Sequence, residues 1–310
     1  MSRFIDTIRK AQVNRSLSAN ERTSLDVDTG PRPFRVLTVT SNKGGVGKTT
    51  VATNLAVYIR ALRDDLPILI LGFDDQSTID RMFAIDEVGP GETMLHAVRA
   101  GSFESALRLG QYGIHYVPSA PDISELKQEI LNPFHLRTIL RRTRWHGLVI
   151  IDTKSDLEIL SQNAIAASDL ALVVVADQAS LNEADKVFDL LDRWKRPREC
   201  ARILLSMIDR RIKYPGSGTE DILALLVAEI RRRDYPLFES FVSRSPKVES
   251  LHTNPDGRVV SILHGARGSL VDGQMRHLAV DVLSALDKLR PDVGNALPIP
   301  NATEEAARTG

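Results

Sequence analysis

A chain of 310 residues with 43% hydrophobic content is long enough to bury one sizeable core. Lys and Arg number 40 and are matched by 40 Asp and Glu, so net charge gives no global reason to expect a nucleic-acid or membrane surface, and local patches must decide. The single cysteine, Cys200, excludes an intrachain disulfide framework and a CxxC metal pair, and no apolar run approaches the roughly 18–20 residues of a membrane span; a soluble, cytoplasmic protein is expected.

Residues 1–33 mix charges with Ser, Asn and Thr and end in Pro31-Arg32-Pro33, which predicts an N-terminal extension, partly helical or disordered, on a stiff linker. Phe4, Ile5 and Ile8 share a short helical face that, with Arg3, Arg9 and Lys10, is a small footprint for a lipid surface. From Phe34 to residue 290, short apolar runs alternate with longer amphipathic stretches: Val36–Thr40, Pro67–Phe73, Gly113–Pro118, Leu148–Asp152, Leu170–Ala176 and Ile203–Met207. Runs such as Leu148-Val149-Ile150-Ile151 are apolar without alternation, as parallel strands covered on both faces require. The predicted fold class is therefore α/β, a doubly wound, mostly parallel sheet with helices on both faces. Thr219–Arg233 reads as a helix, Pro236–Val242 as a short strand and Gly268–Leu289 as a closing helix; residues 291–310 read as a polar, disordered tail with no apolar face.

The stretch Ser41-Asn42-Lys43-Gly44-Gly45-Val46-Gly47-Lys48-Thr49-Thr50 lies between the first predicted strand and the helical Val51–Leu62. Strand, glycine loop and helix in that order make a phosphate site: glycines let backbone N–H groups curl round an anion, Lys48 brings a point charge to β/γ oxygens, and Thr49 can ligate Mg²⁺. Asn42 stands where the usual pattern has its first glycine, and a second lysine, Lys43, precedes the glycine pair. Lys43-Gly44-Gly45-Val46-Gly47-Lys48-Thr49 resembles the deviant Walker A pattern KGGxGK[ST] of the ParA/MinD family of ATPases. The resemblance implies a Rossmann-like P-loop NTPase that takes ATP and Mg²⁺. Gly44, Gly45, Val46, Gly47, Lys48, Thr49 and Thr50 would hold the nucleotide. Lys43 would reach across an ATP-sandwich homodimer to the partner's nucleotide.

Asp152 ends a buried apolar strand, the Walker B arrangement, and would support Mg²⁺ with Thr49. Gly72-Phe73-Asp74-Asp75-Gln76 resembles the family's D-x-D-P-Q stretch; Asp74 and Gln76 match, and Asp74 would orient the attacking water, joining Lys43 and Lys48 as catalytic residues. Gly72 replaces the first aspartate and Asp75 the proline, which opens the hydrolysis rate to question. After Asp152 the family's usual D-T-P-P becomes Asp152-Thr153-Lys154-Ser155, with Lys154 near the expected meeting point of γ-phosphate and partner subunit. Asn54 matches the family's T-x-x-x-N-L-A and would buttress the loop. Asp209, in Leu204–Arg211, lies where the family seats the adenine.

Arg210, Arg211, Lys213, Arg231, Arg232, Arg233, Arg244 and Lys247 are candidates for phosphate contacts on DNA; arginines at a helix C-terminus also serve the helix dipole, and both readings stand at this point. Cysteine-paired iron-protein relatives are excluded by Cys200 standing alone, and no tyrosine cluster follows Tyr235 as in the polysaccharide kinases. The expected protein is a ParA-like, nucleoid-associated ATPase that dimerises on ATP and binds DNA non-specifically. A ParB-like or other cargo adaptor would reset it by stimulating hydrolysis, and membrane association is not expected. The alternatives are a MinD-like membrane-associated positioning ATPase and a slowly hydrolysing nucleotide-dependent scaffold.

Overall fold

The apolar runs become neighbouring strands because helices cover both of their faces. The computed structural model describes residues 33–289 apart from 74–76, 90, 131, 212–220, 252 and 254–256. β1 (Phe34–Thr40) leads to α1 (Lys48–Leu62), then β2 (Ile68–Gly72), α2 (Thr78–Phe83) and α3 (Met94–Ala100). Next come β3 (Arg108–Leu109), β4 (His115–Tyr116), α4 (Ile123–Glu129), α5 (His135–Arg142) and β5 (Gly147–Asp152). The second half runs α6 (Ile159–Ala167), β6 (Leu170–Val175), α7 (Gln178–Arg193), β7 (Ala201–Ile208), α8 (Ile222–Arg232), β8 (Leu237–Ser243), α9 (Pro246–Ser250), α10 (Ile262–Gly265) and α11 (Leu270–Lys288).

These strands form one eight-stranded sheet in the order β3-β4-β2-β5-β1-β6-β7-β8. Every paired neighbour is parallel except β3 with β4. Successive residues of a strand point to opposite faces, so an unbroken apolar run feeds two cores at once. Leu37 and Val39 of β1, with Leu148 and Ile150 of β5, pack beneath α1 and α11. Val36, Val149 and Ile151 face the other way, into a cluster with residues of α3 to α6. Ala171, Val173 and Val175 of β6 join β7 beneath α7 and α8. Each fully buried Val, Leu or Ile contributes roughly 1.5–3 kcal/mol.

The predicted doubly wound α/β class is the observed one. The strand expected at 113–118 shortens to His115–Tyr116, because Gln111–Gly113 form a 3₁₀ turn with Tyr112 at φ 60° and Gly113 at φ 68°. α1 starts at Lys48, three residues before the apolar periodicity does, because the helix is launched from Gly47. α8 starts at Ile222, with the Asp221 carboxylate accepting the Ala224 N–H at 3.0 Å as its N-cap. The two-residue edge strand β3 was not expected, being too short to show a period. The extension up to residue 32 and the tail from 291 lie outside the described residues.

Two buried ties hold the helices beside the sheet. The Arg196 guanidinium donates to the Ile165 and Ser168 carbonyls, each at 2.6 Å, so a cation caps the C-terminal end of α6. Tyr58 of α1 donates to Asp272 Oδ1 at 2.6 Å, and Asp272 Oδ2 accepts the Gly268 N–H at 2.7 Å. Burial, then the bond to the Asp272 carboxylate, pushes the Tyr58 phenol well above its ordinary value. Tyr58→Phe is expected to cost about 1–3 kcal/mol, because the Asp272 carboxylate loses its donor in a buried setting. A lower urea midpoint at unchanged slope would show this, and an unshifted midpoint would mean the bond contributes nothing net.

Candidate nucleotide-binding site

The loop from Ser41 to Gly47 leaves the C-terminal end of β1 near the middle of the sheet and turns into α1. Two glycines make that turn possible. Gly45 sits at φ 74° and Gly47 at φ 88°, in the left-handed region. Gly47 is also crowded: a Cβ there would stand 3.2 Å from Ser206 Oγ and 3.6 Å from Met207 Cγ at the end of β7. Gly47 is the N-cap of α1, and the first turn of the helix carries no acidic residue, so its partial positive charge is left for an external anion.

Lys48, the first residue of α1, is only 6% exposed. Its ammonium donates to the Lys43 carbonyl at 3.2 Å and to Ser155 Oγ at 2.6 Å. Asp152 is fully buried at the end of β5, level with Val39 on β1 and Gly72 on β2. The next residue pins the strand end to β1, Thr153 N and Oγ1 both donating to the Val39 carbonyl at 3.2 and 3.1 Å. The donor set suits a Mg²⁺-triphosphate: a hydroxyl at Thr49 and a carboxylate at Asp152 are hard oxygen donors, and Lys48 with the loop N–H groups supplies the anion cradle. Asn54 ties the first turn of α1 to the start of α10, its amide donating to Thr50 O at 2.8 Å while its oxygen accepts the Ile262 N–H at 2.7 Å.

A Cβ on Gly72 would lie 2.7 Å from Ile79 Cδ1, the flexible end of a side chain on α2. Asp74 and Gln76, like Lys213, lie outside the described residues.

Lys43 does not hang free. Its ammonium bonds Asp177 Oδ2 at 2.6 Å, and the Asn42 amide donates to Glu183. Asp177 is the N-cap of α7 in a capping box with Ser180. Burial would raise the Asp177 carboxyl, but the bonds from Lys43 and from the Ser180 N–H and hydroxyl outweigh it and hold the group below the usual range.

A cleft opens beside the start of α1, lined by Gly47, Thr50, Ser206, Met207, Arg244 and Met275 among others. Asp209 is not in that lining. It is engaged with Arg211, whose Nε and Nη2 reach its two oxygens at 2.8 and 2.6 Å, and the side-chain and backbone bonds from Arg211 hold it down at about 2. Most of the proposed DNA contacts are likewise paired: Arg210 with Asp221, Arg211 with Asp209, Arg232 with Glu229, Arg233 with Glu229 and Asp185, and Arg244 with Glu249. Arg233 is largely buried by its bonds to α7. Among the described residues, Arg231 and Lys247 are the candidates with no carboxylate partner.

Sequence reading missed Ser155, Asp177, Glu183 and Ser206 as neighbours of the loop. Asp177 carried a signal, since Asp-x-x-Ser at the end of an apolar strand reads as a helix cap. Nothing local joined it to Lys43, which is 134 residues away.

A family profile described as an AAA domain (AAA_31) matches residues 34–197. The chain is 29% identical over 187 residues to the probable plasmid-partitioning protein ParA of Thermus thermophilus, across 59% of this chain and 56% of that protein. It is 28% identical over 207 residues to the chromosome partitioning protein ParA of Caulobacter vibrioides, across 62% of this chain and 76% of that one. Among solved structures, the septum site-determining protein MinD of Pyrococcus horikoshii, complexed with Mg-ADP, superimposes with a TM-score of 0.61 at 20% identity, covering 80% of this chain and 96% of that one. The match thus spans little more than half the length of the Thermus relative.

Proposed function

We propose, because the chain belongs to the ParA/MinD family of P-loop ATPases, that it is a partition or positioning ATPase working through an ATP-dependent dimer. The observation that carries this is the glycine loop itself: two left-handed glycines, an almost fully buried Lys48 at its mouth, and Asp152 buried at the end of the adjacent strand. Lys48 and the loop N–H groups would bind the phosphates of ATP, Thr49 and Asp152 would hold Mg²⁺, and the cleft beside Met207 and Arg244 would take the base. Bound Mg²⁺ would neutralise charge developing on the β/γ oxygens. Asp74 would orient the attacking water. Gly72, which puts no carboxylate where the family's D-x-D-P-Q has its first, favours slow hydrolysis in the absence of a partner.

On this reading DNA binding is non-specific and needs the dimer. Of the seven described cations, five are paired with the carboxylates Asp185, Asp209, Asp221, Glu229 and Glu249, so each protomer offers a weak field. Doubling it on dimerisation turns weak contacts into residence on the nucleoid, and hydrolysis stimulated by a ParB-like or other cargo adaptor ends it. Co-sedimentation with plasmid DNA in ATP, ADP and no nucleotide tests the switch; equal binding in all three would sink it. Among the described residues no helix is long and apolar enough to cross a membrane.

Dimerisation makes a sharper demand on Lys43, which must leave Asp177 to reach a partner's nucleotide. With ATPγS the parent chain is expected to sediment as a dimer and Lys43→Ala as a monomer. Asp177→Asn keeps an N-cap but gives up the ion pair, and should lower the dimer dissociation constant by about threefold, in line with an exposed pair of well under 1 kcal/mol. Dimerisation of the Lys43→Ala chain at parental strength would remove Lys43 from the interface.

A further inference from the structure

We propose that Ser155, on the loop between β5 and α6, is a phosphate-contacting residue that ties this loop to the outermost phosphate of a bound nucleoside triphosphate. The proposal rests on the nucleotide-site reading above. An ammonium can only donate, so in the 2.6 Å bond from Lys48 Nζ the Ser155 hydroxyl is the acceptor and its own hydrogen is directed elsewhere. The hydroxyl also overhangs the loop's mouth: a Cβ built on Gly44 would lie 3.7 Å from Ser155 Oγ. An anion drawn to Lys48 from that side meets a second donor in the same place. The loop N–H groups surround the inner phosphate, so the phosphate projecting out past Lys48 toward the β5–α6 loop is the outer one.

The flanks of Ser155 are anchored, which gives its contact leverage. Upstream, Thr153 is bonded twice to Val39 on β1. Downstream, Asp156 Oδ1 accepts the Glu158 N–H at 3.1 Å and the Ser161 hydroxyl at 3.2 Å, fixing the start of α6. Between these anchors the serine side chain is exposed and spans the gap to the lysine. A proline at this position, as in the family's usual D-T-P-P, could not do so, because it has no hydroxyl.

The test is calorimetric titration of the full chain with ADP and with ATPγS, comparing the parent, S155A and S155T. S155A is expected to bind ATPγS about tenfold more weakly while its ADP affinity stays within about twofold, as one charge-assisted hydrogen bond to the outer phosphate predicts. S155T, which keeps the hydroxyl, should hold the parental affinity for both. Equal losses for the two nucleotides, an unchanged S155A, or an S155A that binds more tightly because the serine merely blocked Lys48, would each overturn the proposal. A parent chain that bound neither nucleotide would instead overturn the nucleotide site on which it rests.

Discussion

Lys48→Ala is expected to weaken nucleotide binding by about 100- to 1000-fold, below detection in most titrations. The ammonium is nearly buried at the mouth of the glycine loop, where it donates to the Lys43 carbonyl and the Ser155 hydroxyl. A nearly buried cation at the mouth of an N–H-lined loop suits an anionic ligand, and truncating one side of a desolvated charge pair costs about 3–4 kcal/mol. The free fold should be little changed, because alanine is the better helix former at this position. Lys48→Arg should not restore binding, since a planar guanidinium cannot replace a compact point charge inside the loop. Titration with ATPγS reads the effect directly. An alanine variant binding within about tenfold of the parent would place the phosphate somewhere other than this loop.

Gly147→Ala is expected to destabilise the fold by about 3–5 kcal/mol, although it lies at the opposite end of β5 from Asp152. Gly147 sits at φ 115°, a conformation L side chains rarely adopt, and a Cβ there would stand 2.3 Å from the Pro67 carbonyl oxygen. That oxygen cannot simply move away, because it accepts the Leu148 N–H at 2.9 Å and so starts the pairing of β5 with β2. The expected result is a large drop in the urea midpoint with nucleotide affinity of the folded fraction preserved. A variant as stable as the parent would show that the strand entrance can relax, contrary to the close approach seen here.

The two variants mark different degrees of legibility. The place of Lys48 was readable because strand, glycine loop and helix are contiguous, and the glycines had to adopt left-handed backbone for the loop to close. Asp152 was readable for the same reason, as a carboxylate ending an apolar run. Gly147 gave no sign, since its constraint is a carbonyl from a strand whose chain neighbours lie far away in sequence. Asp209 and the arginines were identified by type; the pairs of Arg211 with Asp209 and of Arg233 with Glu229 are local in the chain, whereas the bond from Arg233 to Asp185 depends on how α7 and α8 come together. Gly72 stood out as a departure, and that Ile79 packs beside it is seen only once α2 is placed.

By itself the sequence determined the fold class, from apolar runs without alternation, and the phosphate loop, from residue types whose backbone and charge requirements are met by their immediate neighbours. Only the tertiary structure decided which side chains attend that loop. Strand order is the physical reason: β1 lies between β5 and β6, so the chain segments leaving those two strands flank the segment leaving β1. That arrangement brings Ser155 to Lys48 across 107 residues and Asp177 to Lys43 across 134.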